Sequence, residues 1–220
     1  EEGLRIKEEI KKIEPQLKEA EEKFKKLMYE VPNFPADDVP YGEGEKGNIV
    51  VREVGELPKF DFEPHDHAQI GKDLNLIDLE RGVKLGGFRS FFTKNELVLL
   101  EYGLLDFALR SIIKKGFTPM TVPWLVKPDY FWGTGYFPWG AEDHYKVQDD
   151  LNLIGTAEVS LTSYFADEVL KEEELPVKLA GISPCYRREI GAYGKDLGGI
   201  FRVHQFNKVE QVVLCKNDPQ

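Results

Sequence analysis

The chain has 220 residues, 41% hydrophobic and 31% charged, with a formal net charge of −10 at pH 7. That length and composition suit one good-sized domain with an appendage and a packed core, and the acidic balance argues only against non-specific wrapping of nucleic acid, leaving room for a local basic surface. Two cysteines, Cys185 and Cys215, are too few for a disulfide framework, which fits a reducing cytosol and a cytoplasmic location, and no apolar run approaches the roughly 20 residues of a membrane span. The charged N-terminus is no signal peptide. It starts without Met inside a helical pattern, so the chain reads as a fragment.

Ile10, Ile13, Leu17, Ala20, Phe24, Leu27 and Val31 alternate spacings of three and four, with Lys and Glu between them. This is a heptad seam, and Pro15 is expected to kink it or mark a joint. A seam so narrow predicts one helix of a helical hairpin (1–31) whose partner lies upstream; a surface helix packed on its own domain is the plainer reading. VPNFPADDVPYGEGEKG is too rich in Pro and Gly for regular structure and reads as a linker over 32–47. The globular part then runs over 48–220.

Within it, IVVREV (49–54) reads as a short strand or extended piece. Residues 67–87 read as a helix ended by glycines, and 96–116 as a long amphipathic helix stopped by Gly116. FTPMTVPWLV (117–126) is a strand with two prolines, suited to an edge or interface. HYKVQDDLNLIG (144–155) reads as a hairpin turning at Asp149 and Asp150. Residues 156–176 read as a helix. Two strands, VKLAGISPCYRREI and IFRVHQFNKVEQVVLC, flank a loop holding Gly191, Gly194, Gly198 and Gly199. Strands and helices mix without βαβ alternation, so the fold class is α+β with an antiparallel sheet.

Several familiar sites are absent. There is no P-loop GxxxxGK[ST] and no GxSxG, and the glycines of GTGYFPWG (133–140) do not form a dinucleotide fingerprint. HDH (65–67) lacks a third metal ligand, and surface histidines are the simpler account.

The last two strands are the informative element. With a period of two, Arg187 and Glu189 share one face of the first, and Arg202, His204, Phe206, Lys208 and Glu210 one face of the second. If the two faces coincide, the sheet presents cations, carboxylates and an aromatic plane together. Arg binds phosphate, carboxylates bind an ammonium or an amino-purine edge, and an aromatic ring stacks a base. The set would fit a nucleotide plus an amine. A solvated edge hairpin is the bland alternative, which a Phe in mid-face weakens.

CYRREIGAYGKDLGGIFRVHQFNKVE closely resembles the second signature motif of class II aminoacyl-tRNA synthetases, in the form used by the seryl-tRNA synthetase family. LIGTAEVSLT resembles that family's Thr-Ala-Glu segment, with Gly155 where Pro is usual. FTPMTVPWLV resembles the first signature motif, whose interface proline matches Pro123. GTGYFPWGAEDHY resembles a GTGQLPKF-type stretch, and the N-terminal helix with VPNFPADDVP resembles the second half of a coiled-coil tRNA-binding arm. Together these cover essentially the whole chain.

The resemblance implies a class II antiparallel sheet flanked by helices, and an ATP-dependent ligase that activates L-serine to seryl-adenylate and transfers it to tRNA(Ser), with Mg2+ arriving on the nucleotide. Arg187 would be catalytic, holding the α-phosphate and the serine carboxylate. ATP would be bound by Arg187, Arg188, Glu189, Val203, His204, Gln205 and Phe206, with Glu189 on the adenine edge and Phe206 stacking the base. Thr156, Ala157, Glu158, Arg187 and Glu210 would bind serine. Lys195 and Asp196 would meet the tRNA acceptor end, the arm would meet the tRNA body, and Pro123 would lie in a homodimer interface. No membrane partner is implied. Tyr186, Leu197, Gly198 and Asn207 depart from the usual Phe, Thr, Arg and Asp, and the loop thereby loses a cation. The first arm helix and the third signature motif are expected to lie outside this chain, leaving a partial catalytic domain inactive alone. A non-aminoacylating paralogue serving binding or dimerisation is the alternative; the arm and the retained ATP and serine contacts argue against it.

Overall fold

The computed structural model describes residues 2–191 and 198–217. The chain divides into two units, Glu1–Pro64 and His65–Gln220. In the first, the heptad pattern forms a single helix, α1 (Glu2–Tyr29), which continues across Pro15 and buries none of its residues. Ile10, Ile13, Leu17, Phe24 and Leu27 all lie exposed along it. Most helical stability in proteins comes from packing an amphipathic face, and here that apolar stripe is exposed. After Glu45–Gly47, a single 3-10 turn, residues 48–64 form no helix or strand. IVVREV is therefore unpaired chain and not a strand.

In the second unit the helix expected over 67–87 is broken in two. Asp66 caps α2 (His67–Asp73) by accepting the Gln69 N–H at 2.8 Å. Asn75 then takes a left-handed φ of 56°. Ile77–Asp78 forms β1, antiparallel to β2 (Phe92–Thr93), and Asp78 caps α3 (Leu79–Gly86) by accepting the Arg81 N–H at 3.0 Å. Two capping aspartates thus override a continuous helical rhythm: each satisfies backbone N–H groups that an uninterrupted helix would not leave free.

The long amphipathic helix is α4 (Glu96–Ile113), with Gly116 in the left-handed region at φ 84° just beyond it. The proline-bearing strand splits into β3 (Thr118–Thr121) and β4 (Leu125–Val126), separated at Pro123. The short helix α5 (Pro128–Gly133) opens on a proline. The expected hairpin is present: Asp149 and Asp150 turn the chain with φ 62° and 54°, Val147 N–H reaches the Leu151 carbonyl, and β5 (Asn152–Leu153) pairs antiparallel with β4. The helix expected over 156–176 shrinks to α6 (Glu158–Thr162), after which the chain turns, with Asp167 left-handed at φ 63°.

β6 (Val177–Tyr186) and β7 (Gln205–Leu214) form the long antiparallel ladder, in which Gly181, Ser183 and Cys185 face Glu210, Lys208 and Phe206. β3 joins the other side of β6 in parallel, so the order is β3-β6-β7 and the proline-bearing strand is an edge, as its composition requires. α4 packs on one face of this sheet and α6 on the other. Gly181 permits the close approach of α6, since a Cβ there would lie 3.0 Å from both the Ala157 Cβ and the Leu161 Cδ1. Beneath α6, Phe131, Ile154, Val159 and Leu161 are fully buried with Leu179 beside them. Each such side chain contributes about 1.5–3 kcal/mol by leaving water. This core fixes the segment 154–158 against the sheet.

Candidate active site

Alternation along β7 puts Phe206, Lys208 and Glu210 on the sheet face that α6 covers. The ladder continues one step past β6, with Arg187 N–H donating to the His204 carbonyl at 2.9 Å. Arg187 therefore lies on the same face as Phe206, and its guanidinium sits 5.3 Å from the centre of that ring. Its Nε also donates to the Gly155 carbonyl at 3.2 Å. The charged faces of the two strands do coincide at this end.

Thr156 reaches the same face from the turn before α6. Its hydroxyl, in a residue only 1% exposed, donates to Glu210 Oε2 at 2.7 Å and accepts from Lys208 Nζ at 2.9 Å. Lys208 also pairs with Glu210 at 3.1 Å. Burial alone pushes the Glu210 carboxyl up, but the hydrogen bonds from Thr156 and Lys208 outweigh it and hold the group below the usual carboxylate range. Ala157 is fully buried against Gly181. Glu158 accepts a hydrogen bond from the Tyr136 hydroxyl at 3.2 Å. Burial, then the neighbouring Glu158 carboxylate, raises Tyr136 well above the ordinary phenol range, so this hydroxyl stays a donor.

A cavity of about 350 Å3 opens beside this cluster, lined by Arg187, Glu189, Arg202, Val203 and Phe206 together with Ile200 and Phe201. Glu189 takes a left-handed φ of 55°. That ends the simple alternation that put it on a face with Arg187. Its carboxylate accepts from Arg202 at 3.0 Å and lies 3.8 Å from Arg89, whose side chain is buried.

The other sequence-derived residues fall elsewhere. Arg188 turns away: its backbone N–H donates to the Asp143 carbonyl and its guanidinium to the Glu142 carbonyl at 2.8 Å. Of Val203, His204 and Gln205, only Val203 lines the cavity with Arg187. His204 and Gln205 border a cavity of about 490 Å3 with Tyr145, Leu153 and Tyr186, which adjoins the first through Phe206. Pro123 is exposed, and its carbonyl accepts from Ser160 Oγ at 2.7 Å. Lys195 and Asp196 lie outside the described residues. His67 is no free surface histidine: its Nε2 accepts the Ile200 N–H at 3.0 Å.

Lys208 belongs to the charged face read from the sequence, since it alternates with Phe206 and Glu210. Tyr136 and Arg89 carry no local signal: only the fold brings them to Glu158 and Glu189. No group of three or more His, Cys, Asp or Glu able to hold a metal ion occurs among the described residues, and no helix of the described residues is long and apolar enough to cross a membrane. Chemically, the face offers a guanidinium and an aromatic plane at one end and a polarised hydroxyl with carboxylates at the other.

Residues 142–220 match the tRNA synthetase class II core domain (G, H, P, S and T). The chain is similar to the serine–tRNA ligase of Treponema denticola, 42% identical over 97% of this chain and 51% of that protein. It is likewise similar to the serine–tRNA ligase of Deinococcus radiodurans, 43% identical over 99% of this chain and 52% of that one. Its fold matches the crystal structure of seryl-tRNA synthetase from Pyrococcus horikoshii complexed with ATP, with a TM-score of 0.87 and 36% identity over 93% of this chain and 50% of that chain. It also matches the cytoplasmic serine–tRNA ligase of Naegleria fowleri in complex with AMP, with a TM-score of 0.84 and 31% identity over 93% of this chain and 49% of that one. The chain spans about half the length of the relatives it matches.

Proposed function

We infer, for a chain that belongs with the serine-type class II aminoacyl-tRNA synthetases, that the protein containing it is a serine–tRNA ligase and that this stretch supplies the first half of its ATP and serine site. The observation that carries the reading is the contiguous face on which Arg187 and Phe206 adjoin the Thr156–Lys208–Glu210 cluster.

In the reaction so assigned, a carboxylate oxygen of serine attacks the α-phosphorus of ATP in line. The bond to the bridging oxygen breaks and pyrophosphate leaves. Arg187 sits where negative charge builds on the α-phosphate, and a preorganised cation there lowers the barrier because it need not reorganise as the charge forms. Phe206 supplies the plane for the base, with Arg187 moving off the ring to the phosphates. Glu189, already oriented by Arg202, accepts from the adenine amino group. Glu158 and Glu210 supply carboxylates for the serine ammonium and hydroxyl, with Thr156 between them. Mg2+ would come with the phosphates and offset their charge. A ribose hydroxyl at the tRNA end then attacks the adenylate carbonyl and AMP leaves. We assign the tRNA acceptor end to the loop carrying Lys195 and Asp196.

The exposed stripe of α1 suits a helical partner, which supports its place in a coiled-coil arm that contacts the tRNA body. The outward face of α4 carries Leu99, Leu104 and Phe107, all exposed. With Pro123 and Trp124 exposed after β3, this supports a homodimer through the first-motif region. A cytoplasmic location follows from the ligase reading. The test is serine-dependent exchange of pyrophosphate into ATP by the intact protein. Exchange with serine supports the reading; exchange with another amino acid only would refute the serine assignment, and none with any amino acid would favour a binding paralogue.

A further inference from the structure

We propose that His67 is a positioning residue for the nucleotide cavity, acting from outside the hairpin by fixing the backbone of Ile200 and the ring of Phe201. The inference rests on the reading of that cavity as the ATP site.

Three contacts meet at this imidazole. Its Nε2 accepts the Ile200 N–H at 3.0 Å. Its ring centre lies 3.9 Å from that of Phe201, tilted by 42°. Gly199 presses against it: with φ at 74°, a Cβ on Gly199 would come 1.8 Å from the Nε2. Only glycine meets both demands at that position, the left-handed backbone and the approach to the ring. For Nε2 to accept, the imidazole must be neutral with its proton on Nδ1.

The position of His67 is itself fixed. Asp66 caps the helix that His67 begins, by accepting the Gln69 N–H at 2.8 Å. On the other side, Ile200 and Phe201 lead directly into Arg202, which holds Glu189 at 3.0 Å. All four residues line the same cavity. A capped helix start is thereby tied to the wall that presents the Glu189 carboxylate. The contact spans 133 positions of sequence, so neither motif predicts it alone.

The test uses the intact protein and compares wild type with His67→Phe, His67→Gln and Gly199→Ala. Readouts are KM for ATP and for serine in pyrophosphate exchange, with ATP affinity by calorimetry. His67→Phe keeps a ring against Phe201 and removes the acceptor. It is expected to raise KM for ATP about tenfold, the order that one orphaned backbone donor produces, while KM for serine stays within about twofold. His67→Gln restores an acceptor and is expected to recover most of the loss. Gly199→Ala is expected to reproduce the ATP defect with His67 intact. An unchanged KM for ATP in His67→Phe, or an equal rise for both substrates, overturns the proposal while wild-type exchange stands. If His67→Phe does not fold, an unchanged KM for ATP in Gly199→Ala overturns it instead. A wild-type protein that binds no ATP overturns both this inference and the reading on which it rests.

Discussion

Thr156 and Glu210 lie 54 positions apart in the chain and share a hydrogen bond of 2.7 Å. Thr156 precedes α6 and Glu210 sits in mid β7, so the bond joins the helix start to the sheet beneath it. Lys208 closes the triangle from the same strand. The arrangement makes the hydroxyl both donor and acceptor in a buried position, which fixes the carboxylate's orientation before any ligand arrives.

Thr156→Val keeps the shape and removes the hydroxyl. It removes the Thr156 donor to Glu210 and leaves Lys208 in place, a loss of about 1.5–3 kcal/mol for one hydrogen bond to a charged group. The expected result in the intact protein is a KM for serine raised by at least about tenfold with KM for ATP nearly unchanged, read by exchange kinetics. A rise in KM for ATP alone would place Thr156 on the nucleotide side.

Arg89 is the buried cation behind Glu189. Removing one member of a buried ionic cluster costs about 3–5 kcal/mol when the remaining charge is stranded. Arg202 still reaches Glu189, so Arg89→Met is expected to destabilise by about 3 kcal/mol, the lower end of that range, as measured by chemical denaturation. A loss below about 0.5 kcal/mol would mean that Glu189 is held by Arg202 alone.

His144 gives a pH dependence with a definite sign. Burial pushes its imidazole below the ordinary histidine value of 6.5, while the Gly140 carbonyl, accepting from Nδ1 at 2.7 Å, works the other way. The ring packs edge-on against Phe131, Tyr136 and Phe137. With the folded value depressed, the unfolded chain takes the proton first. The contribution is complete above about 6.5 and falls away as pH drops below it. Glu210, also depressed, adds a loss only lower, in the carboxylate range. Melting temperature is expected to fall as pH drops below about 6.5, and His144→Phe should flatten that part of the curve. An equal slope in the variant would assign the effect elsewhere.

The outward face of α4 leads to an assembly prediction. Leu99 is 73% and Phe107 71% exposed on a helix whose other face packs on the sheet. Two turns of exposed large hydrophobes mark an interaction surface. Sedimentation of the intact protein at micromolar concentration is expected to give a dimer, and Phe107→Asp a monomer. A wild-type monomer would remove α4 from any interface.

The period-two pattern from Phe206 to Glu210 made the central face legible, because a strand's alternation fixes which side chains share a side. Its limit was Glu189: the left-handed backbone there cannot be read from alternation, and the residue meets Arg202 by a turn and not by a strand face. The single helix expected over 67–87 is two, because Asp66 and Asp78 each cap a shorter helix and hydrophobic periodicity does not register a cap. The segment after Thr162 kept a helical composition, yet the chain turns at Asp167. Tyr136, Arg89 and His67 were out of reach for another reason. Each acts on a residue far along the chain, and only tertiary packing brings them together.

The central claim is that this hairpin face binds the α-phosphate through Arg187. Pyrophosphate exchange with serine, measured on Arg187→Ala and Arg188→Ala in the intact protein, tests it most directly. Both variants remove one positive charge, so any effect of net charge cancels. Arg187 lies over Phe206 in the cavity, whereas Arg188 is bound to the Glu142 carbonyl. Losing one preorganised donor to developing charge costs about 3–4 kcal/mol, or roughly two to three decades in rate. The predicted result is that loss for Arg187→Ala and a far smaller one for Arg188→Ala. Damage confined to Arg188→Ala, or exchange that survives both changes, would contradict the assignment of this face to ATP.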